Sequence, residues 1–264
     1  MPDFAPRPAG PSPAAAPAAP AAPAARVRAQ ALFELRLLLR NGEQLLVSLI
    51  LPLLALIGLA MSTVPSLGPG RRIDIAVPGV LALCVISSAF TAQAIATGFD
   101  RRYAVLRYLG VTPLGRDGLL AGKAVATLAM VAVQVLVIGG VGLVLGWRPS
   151  GAGLVIAPVF LVLGVWVFVA LALVLAGLLR AEGVLAVANL LWVLFLVLGG
   201  VIVPRATLSG GLAAGAGLLP SAALADGLRA AYLDGSLAVG AVGVLLAWGV
   251  GATVVASRTF RWSD

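Results

Sequence analysis

The chain is 264 residues long, 61% apolar, with a mean hydropathy of +1.09 and a formal net charge of +8. That apolar share takes it out of the soluble globular class, where roughly half of the residues are apolar. It has no histidine and a single cysteine, Cys84, which excludes Ser-His-Asp hydrolysis, His-based zinc sites, haem ligation through His and an intrachain disulfide.

Residues 1–25 are mostly Pro and Ala with almost no large apolar side chain, which predicts a disordered cytoplasmic tail. No apolar h-region precedes the Ala-Pro run, so it does not read as a secretory signal. From Arg26 to Arg40, Val27, Ala31, Leu35, Leu38 and Leu39 alternate at helical spacing with Arg28, Glu34, Arg36 and Arg40. That pattern predicts an interfacial helix, its Leu face in the acyl boundary and its Arg heads at anionic headgroups, broken off at Asn41-Gly42. Residues 26–264 then form one transmembrane domain with apolar blocks at about 45–64, 76–98, 119–146, 154–179, 184–203 and 236–256. Each holds about the 20 apolar residues that cross ~30 Å of hydrocarbon.

Backbone groups in lipid must be satisfied within the segment, so the blocks are helices and the fold class is all-α. Pro52 is expected to kink the first span, Cys84 to be a small buried side chain in the second, and Gly142 and Gly146 to give the third a face for close helix packing. The stretch from Pro204 to Gly235 is too long for a tight connection and too apolar for a solvated loop. Two short helices ahead of the last span, re-entrant in the outer leaflet or capping the bundle, would account for it.

The 18 Lys and Arg are unevenly placed. With the amino end cytoplasmic, twelve fall inside (Arg26, Arg28, Arg36, Arg40, Arg101, Arg102, Arg107, Arg116, Lys123, Arg180, Arg258, Arg261) and five outside (Arg71, Arg72, Arg148, Arg205, Arg229). Positive-inside therefore puts both termini in the cytoplasm, as an even number of spans requires. The basic balance reads as membrane topology, and no nucleic-acid partner is implied.

The densest cationic segment is the inner connection from Phe99 to Arg116. Phe99, Tyr103, Leu106 and Gly110 share one helical side, Arg101 and Tyr108 face away, and Arg102 and Arg107 flank the apolar stripe, which predicts a short surface helix. Thr112-Pro113 supplies an N-cap followed by Pro at the first helical position, so the third membrane helix is expected to begin there. Local physics alone gives the surface helix an anchoring role.

The run Leu109-Gly-Val-Thr-Pro-Leu-Gly-Arg116, followed by Gly122-Lys123, resembles the Leu-x-x-Thr-Pro-Leu-x-Arg and downstream Lys of ABC type-2 exporter permeases, the membrane subunits of drug, polysaccharide and lipid exporters. The interfacial helix, the Pro52 span, the six-helix count and the outer segment are similar to that family's layout. Leu219-Pro220 with Gly227-Leu228-Arg229 resembles its Asn-Pro and downstream Leu-Arg pattern. Two positions depart from it: Asp100-Arg101-Arg102-Tyr103-Ala104-Val105-Leu106-Arg107 stands where many members carry Arg-Glu-x-Gly-Thr-Leu-Glu, and Leu219 where Asn is common.

The resemblance implies that the helix before the motif is a coupling helix that docks on an ATPase subunit. The expected partner surface is Arg101, Arg102, Tyr103, Leu106, Arg107, Thr112, Pro113, Leu114 and Arg116. The chain would be half of a membrane pathway, paired with a second permease copy or homologue above two ATPase subunits. It would bind no cofactor itself, with ATP and Mg²⁺ on the partner. Gly118-Leu-Leu-Ala-Gly122-Lys123-Ala124 imitates a Walker A motif, but it has three residues between its glycines and Ala where Ser or Thr must hold Mg²⁺.

The spans themselves are read as free of ionisable groups, with Lys123 counted to the inner connection, which places the energy source outside the membrane. Ser88, Gln93, Gln134, Asn189 and Trp192 are candidate pathway residues, and interhelical hydrogen bonding is the competing role for the polar ones. Trp147 and Trp262 are expected to anchor the bundle at its interfaces. Trp166, Trp192, Phe195 and Trp248 lie deeper, along an apolar path or in ordinary packing. Glu182, in the turn after Arg180, is either a second partner contact or a solvated side chain. Two other classes remain: a secondary transporter or membrane scaffold without ATPase, and an intramembrane transferase, for which the chain has only Asp100 and Asp117 as close acidic candidates.

Overall fold

The computed structural model describes residues 21–40, 42–110, 112–205 and 210–259, without the side chains of residues 43–47, 107, 109, 110, 116 and 210–212. Most of the expected Pro/Ala tail and Trp262 lie outside the described residues. Every regular element among them is helical. Helix α1 (Pro23–Arg40) and α2 (Gly42–Met61) precede a long helix formed by α3 (Arg72–Val85), a π-helical stretch (Ile86–Ala92) and α4 (Gln93–Arg102). Then come α5 (Val105–Gly110), α6 (Gly115–Val144), α7 (Gly153–Leu178), α8 (Ala181–Leu198), α9 (Gly210–Ala216), α10 (Pro220–Arg229) with a π-helical extension (Ala230–Asp234), and α11 (Val239–Thr259).

Among the described residues, five helices are long and apolar enough to cross a membrane: Arg72–Arg102, Asp117–Val144, Gly153–Leu178, Ala181–Leu198 and Val239–Thr259. The first expected block appears as a shorter apolar stretch, Ser48–Met61 within α2, which contains Pro52. The chain is a polytopic all-α membrane protein. Burial decides which helices are central: 83% of the apolar window of Arg72–Arg102 and 61% of that of α7 lie inside the protein, against 17% for α8 and 22% for α11.

The outer connection forms short helices, as its composition predicts. Helix α10 is amphipathic and dips into the bundle antiparallel to α7, with Gly227 against Phe160 and Leu224 against Gly164. Gly164 lies eleven residues into α7, a depth of about 16 Å. Leu219 makes no side-chain cap at its start, and Pro220 opens the helix instead.

Several expectations change. Trp147 is not an interface anchor: Gly146, at φ +90°, turns it back over Gly142 and Gly139 of α6, and its ring packs edge-on to Tyr232 at 5.0 Å. The surface helix expected from Phe99 to Gly110 is broken, because Ala104 adopts a left-handed conformation (φ 59°) between α4 and α5. Thr112 and Pro113 lie in the turn ahead of α6, which begins at Gly115 instead of at the Thr-Pro pair.

Helix α1 ends at Arg40 and packs along α6. Arg26 reaches Pro113, Gln30 packs on Gly122, and Glu34 meets Lys123, so α1 and α6 run side by side in the same sense. The face turned to the protein holds Gln30, Ala31 and Glu34, while Leu32, Phe33, Leu37 and Leu39 are exposed. Helix α6 is about 45 Å long, more than a ~30 Å hydrocarbon core needs, which leaves its first turns free to carry α1.

Candidate functional site

An open cavity of about 540 Å³ is walled by α2, the π-helical stretch, α6 and α8. Leu51, Pro52, Met130 and Leu196 supply much of its apolar wall, and Ser48, Ser87, Ser88, Thr91, Thr127, Asn189 and Trp192 its polar atoms. That size and balance match sites for small amphiphilic molecules. The extra residue of a π turn shifts the register of a helix, and here three of the polar lining residues, Ser87, Ser88 and Thr91, lie within that turn.

Of the expected pathway residues, Ser88, Asn189 and Trp192 line the cavity. Gln134 stands behind Ser88, donating to its Oγ at 3.1 Å and to the Ser48 carbonyl at 3.0 Å. Gln93 donates to Thr127 Oγ1 at 2.8 Å. Both amides are buried and hold helices together, the competing role foreseen for them. Trp192 donates to Ser87 Oγ at 2.9 Å and Asn189 to its own helix at the Leu185 carbonyl. Thr91, a polar residue of the same span, lines the cavity, and its buried hydroxyl has no hydrogen-bond partner among the described residues.

Toward the end of the bundle that carries the connection between α4 and α6 the polar seam becomes ionic. Lys123, fully buried, lies 2.8 Å from Glu34 and 3.5 Å from Asp100, and Gln30 donates to the same Glu34 oxygen at 2.9 Å. The reading of the spans as free of ionisable groups is therefore corrected: Lys123 lies in the apolar helix Asp117–Val144, and α1 covers it. The cost of burying an ammonium group is met by paired carboxylates from two other helices. The Walker-like run from Gly118 to Lys123 is helical, so it forms no phosphate-binding loop, and Gly122 is where Gln30 approaches; a Cβ there would come within 2.6 Å of Gln30 Cγ.

The inner connection divides between buried and exposed groups. Arg101 is a correction: it is buried and donates to the carbonyls of Ala176, at 2.6 Å, and Leu179. It caps the C-terminus of α7, where carbonyls lack helical partners and the helix dipole favours a cation. Leu106 is also buried, among Leu119, Leu173 and Ala256, and docks α5 onto α6, α7 and α11. Arg102 is exposed and pairs with Glu182, which joins the two inner turns. Tyr103 is 69% exposed and Tyr108 75%. Thr112 and Pro113 are exposed and Leu114 half-buried, whereas the side chains of Arg107 and Arg116 lie outside the described residues.

At the opposite end of the bundle Arg229 is buried against the turn that follows α8, donating to the carbonyls of Gly200 at 2.8 Å and Val201 at 2.6 Å. Asp226 stands beside it and pairs with Arg205.

No curated protein matches the chain. The family model described as ABC-2 type transporter matches residues 27–233, from the first turns of α1 through α10 and most of its π-helical extension. The chain belongs to the ABC-2 type transporter family and is a membrane component of a transporter.

Proposed function

We propose that the chain is the permease subunit of an ATP-driven exporter, with both termini cytoplasmic. It forms half of a substrate pathway, completed by a second copy or a homologue, and a separate ATPase subunit binds ATP and Mg²⁺. The observation that supports this best is the wiring of the exposed inner connection to the cavity walls. Tyr103 and Arg102 sit at the end of the helix whose π turn lines the cavity, and Leu106 fixes α5 to α6 and α7. Pro113 is held by Arg26, and Lys123 ties α1, α4 and α6 together. Force applied to Arg102, Tyr103, Thr112, Pro113 and Leu114 would therefore reach the cavity through packed helices rather than through a loose loop.

The test is the purified chain with its ATPase subunit. Arg102→Glu together with Tyr103→Ala lowers transport-linked ATP hydrolysis several-fold while membrane insertion and melting temperature stay unchanged; coupling equal to the wild type would sink the proposal. A carrier without an ATPase is favoured only by the buried Lys123 cluster. Its groups are paired with one another and do not line the cavity. Substrate movement in vesicles driven by a pH gradient alone, with no ATPase present, would favour the carrier.

A further inference from the structure

A second groove flanks the contact between α1 and α6, about a third of a turn around α1 from Gln30 and Glu34. It has a volume of about 420 Å³ and runs between α1 and α6, lined by Ala24, Val27, Arg28, Ala31, Leu32, Leu35, Val125, Ala126 and Ala129. A cavity of ~150 Å³ already holds a benzene ring, so this one has room for a stretch of hydrocarbon chain. Small residues make it: Ala31 from α1 and Ala126 and Ala129 from α6 leave a trough that larger side chains would close.

The lining has one charged member. Arg28 is exposed and has no ion-pair partner among the described residues, and no acidic side chain reaches the groove. Its place is set by the parallel packing of α1 and α6: Arg26 lies level with Pro113, and Glu34 with Lys123. Arg28 is therefore near the inner end, and Leu35, Val125 and Ala129 lie further toward the middle of the bundle. A cation at the inner end of an apolar trough has the polarity of a phospholipid of the inner leaflet, with its phosphate outermost and its acyl chain pointing to the bilayer centre.

The exposed leucines of α1 fit the same surroundings. Leu32, Phe33, Leu37 and Leu39 are between 46% and 52% exposed, so the helix presents an apolar side to whatever lies beyond it, and α6 carries exposed Val125 and Val133 beside it. Two neighbouring faces of α1 thus have different roles. Gln30 and Glu34 bind the protein, and the stripe of Ala24, Arg28 and Leu35, with the buried Ala31 at its floor, is left for a ligand.

We propose that this groove is a binding site for one anionic phospholipid, with an acyl chain between α1 and α6 and its phosphate on Arg28. Because α1 also holds Pro113 through Arg26 and Lys123 through Glu34, a lipid seated there stiffens the inner connection against the bundle.

The experiment is native mass spectrometry of the full chain released from detergent after incubation with phosphatidylglycerol or phosphatidylcholine. The wild type retains one phosphatidylglycerol and little phosphatidylcholine. Arg28→Glu lowers phosphatidylglycerol retention at least fivefold, and so does Ala129→Phe, which fills the trough; Arg36→Glu, exposed on α1 outside the lining, leaves it unchanged. Arg28 is exposed, so its variant keeps the proposal testable if Ala129→Phe misfolds. Equal retention of both lipids, unchanged retention in Arg28→Glu, or an equal loss in Arg36→Glu overturns the proposal. So does a chain lacking residues 1–20 that binds phosphatidylglycerol where the full chain does not, since the tail would then be the occupant.

Discussion

Replacing Lys123 by Met tests whether α1 is held to the bundle by charge or merely lies against it. The side chain of Lys123 is 1% exposed, that of Glu34 11% and that of Asp100 34%. Removing one partner of a buried ion pair typically costs 3–5 kcal/mol, chiefly because the remaining charge is left unpaired in a poorly solvated place. Asp100 keeps a third of its surface and can turn to water, so the lower end applies, ~3 kcal/mol or about 150-fold in the folding equilibrium. Glu34→Gln alone leaves Lys123 with Asp100 and costs about half as much, since the amide still accepts a hydrogen bond. The double variant removes both charges of the 2.8 Å pair and loses no more than Lys123→Met alone, a coupling of about 1–2 kcal/mol. Reversible SDS unfolding of the purified chain in micelles gives all four corners of the cycle. Additive losses, or a Lys123→Met variant within 0.5 kcal/mol of the wild type on the scale set for surface changes, would refute the assignment of the cluster as a buried brace.

Other expected outcomes separate the buried arginines from the exposed ones. Arg101→Ala loses two charge-assisted bonds to the end of α7 and costs about 2–3 kcal/mol in the same unfolding assay, whereas Arg102→Ala, in an exposed pair with Glu182, costs under ~1 kcal/mol. Arg229→Lys is not conservative, because an ammonium group cannot hold the Gly200 and Val201 carbonyls as a planar fork does; a loss of about 1–2 kcal/mol is expected, and none is expected for Arg148→Lys. Gly227→Ala puts a Cβ 2.3 Å from the buried ring of Phe160 and destabilises by roughly 1–3 kcal/mol, while Gly251→Ala, in α11 with open space around it, stabilises by up to ~1 kcal/mol. Trp192→Ala widens the cavity and frees Ser87; the concentration of an amphiphile needed to alter ATP hydrolysis by the reconstituted complex shifts several-fold, with little change in melting temperature.

Hydropathy and periodicity carry far in this chain because the bilayer imposes one rule on long apolar segments: every backbone group must be paired within the helix. That is why the helical class and the dip of α10 were legible from Gly, Ala, Leu and Pro alone. Side-chain placement was legible only where two signals agreed. Ser88 and Asn189 stood out as polar residues in apolar surroundings, but nothing local shows that a π turn puts Ser87, Ser88 and Thr91 on one cavity wall. The packing face of α1 was hidden for the same reason. Its leucines do form a face, yet the face that packs on α6 carries Gln30 and Glu34, a choice decided by Lys123 on a helix about ninety residues away in sequence.

Charge counting shows the limit most clearly. Positive-inside reasoning treats each Arg as a marker of the side on which it lies, but several of these arginines close the ends of helices. Arg72 donates to the Leu59 carbonyl near the end of α2, Arg71 to Gly146 just beyond α6, Arg101 to Ala176 and Leu179 at the end of α7, and Arg229 to Gly200 and Val201 just beyond α8. A helix end at the membrane boundary leaves carbonyls without intrahelical partners and a partial negative charge, and a guanidinium group with five donors answers both. Three of the five cations that the charge count assigns to the outer side act in this way, so the inner excess in that count understates the bias among the cations left for topology. It also explains the departure from the family's coupling-helix pattern at Arg101. That position serves α7 within the chain, and the groups of this connection that stay exposed include Arg102, Tyr103 and the turn at Thr112 and Pro113.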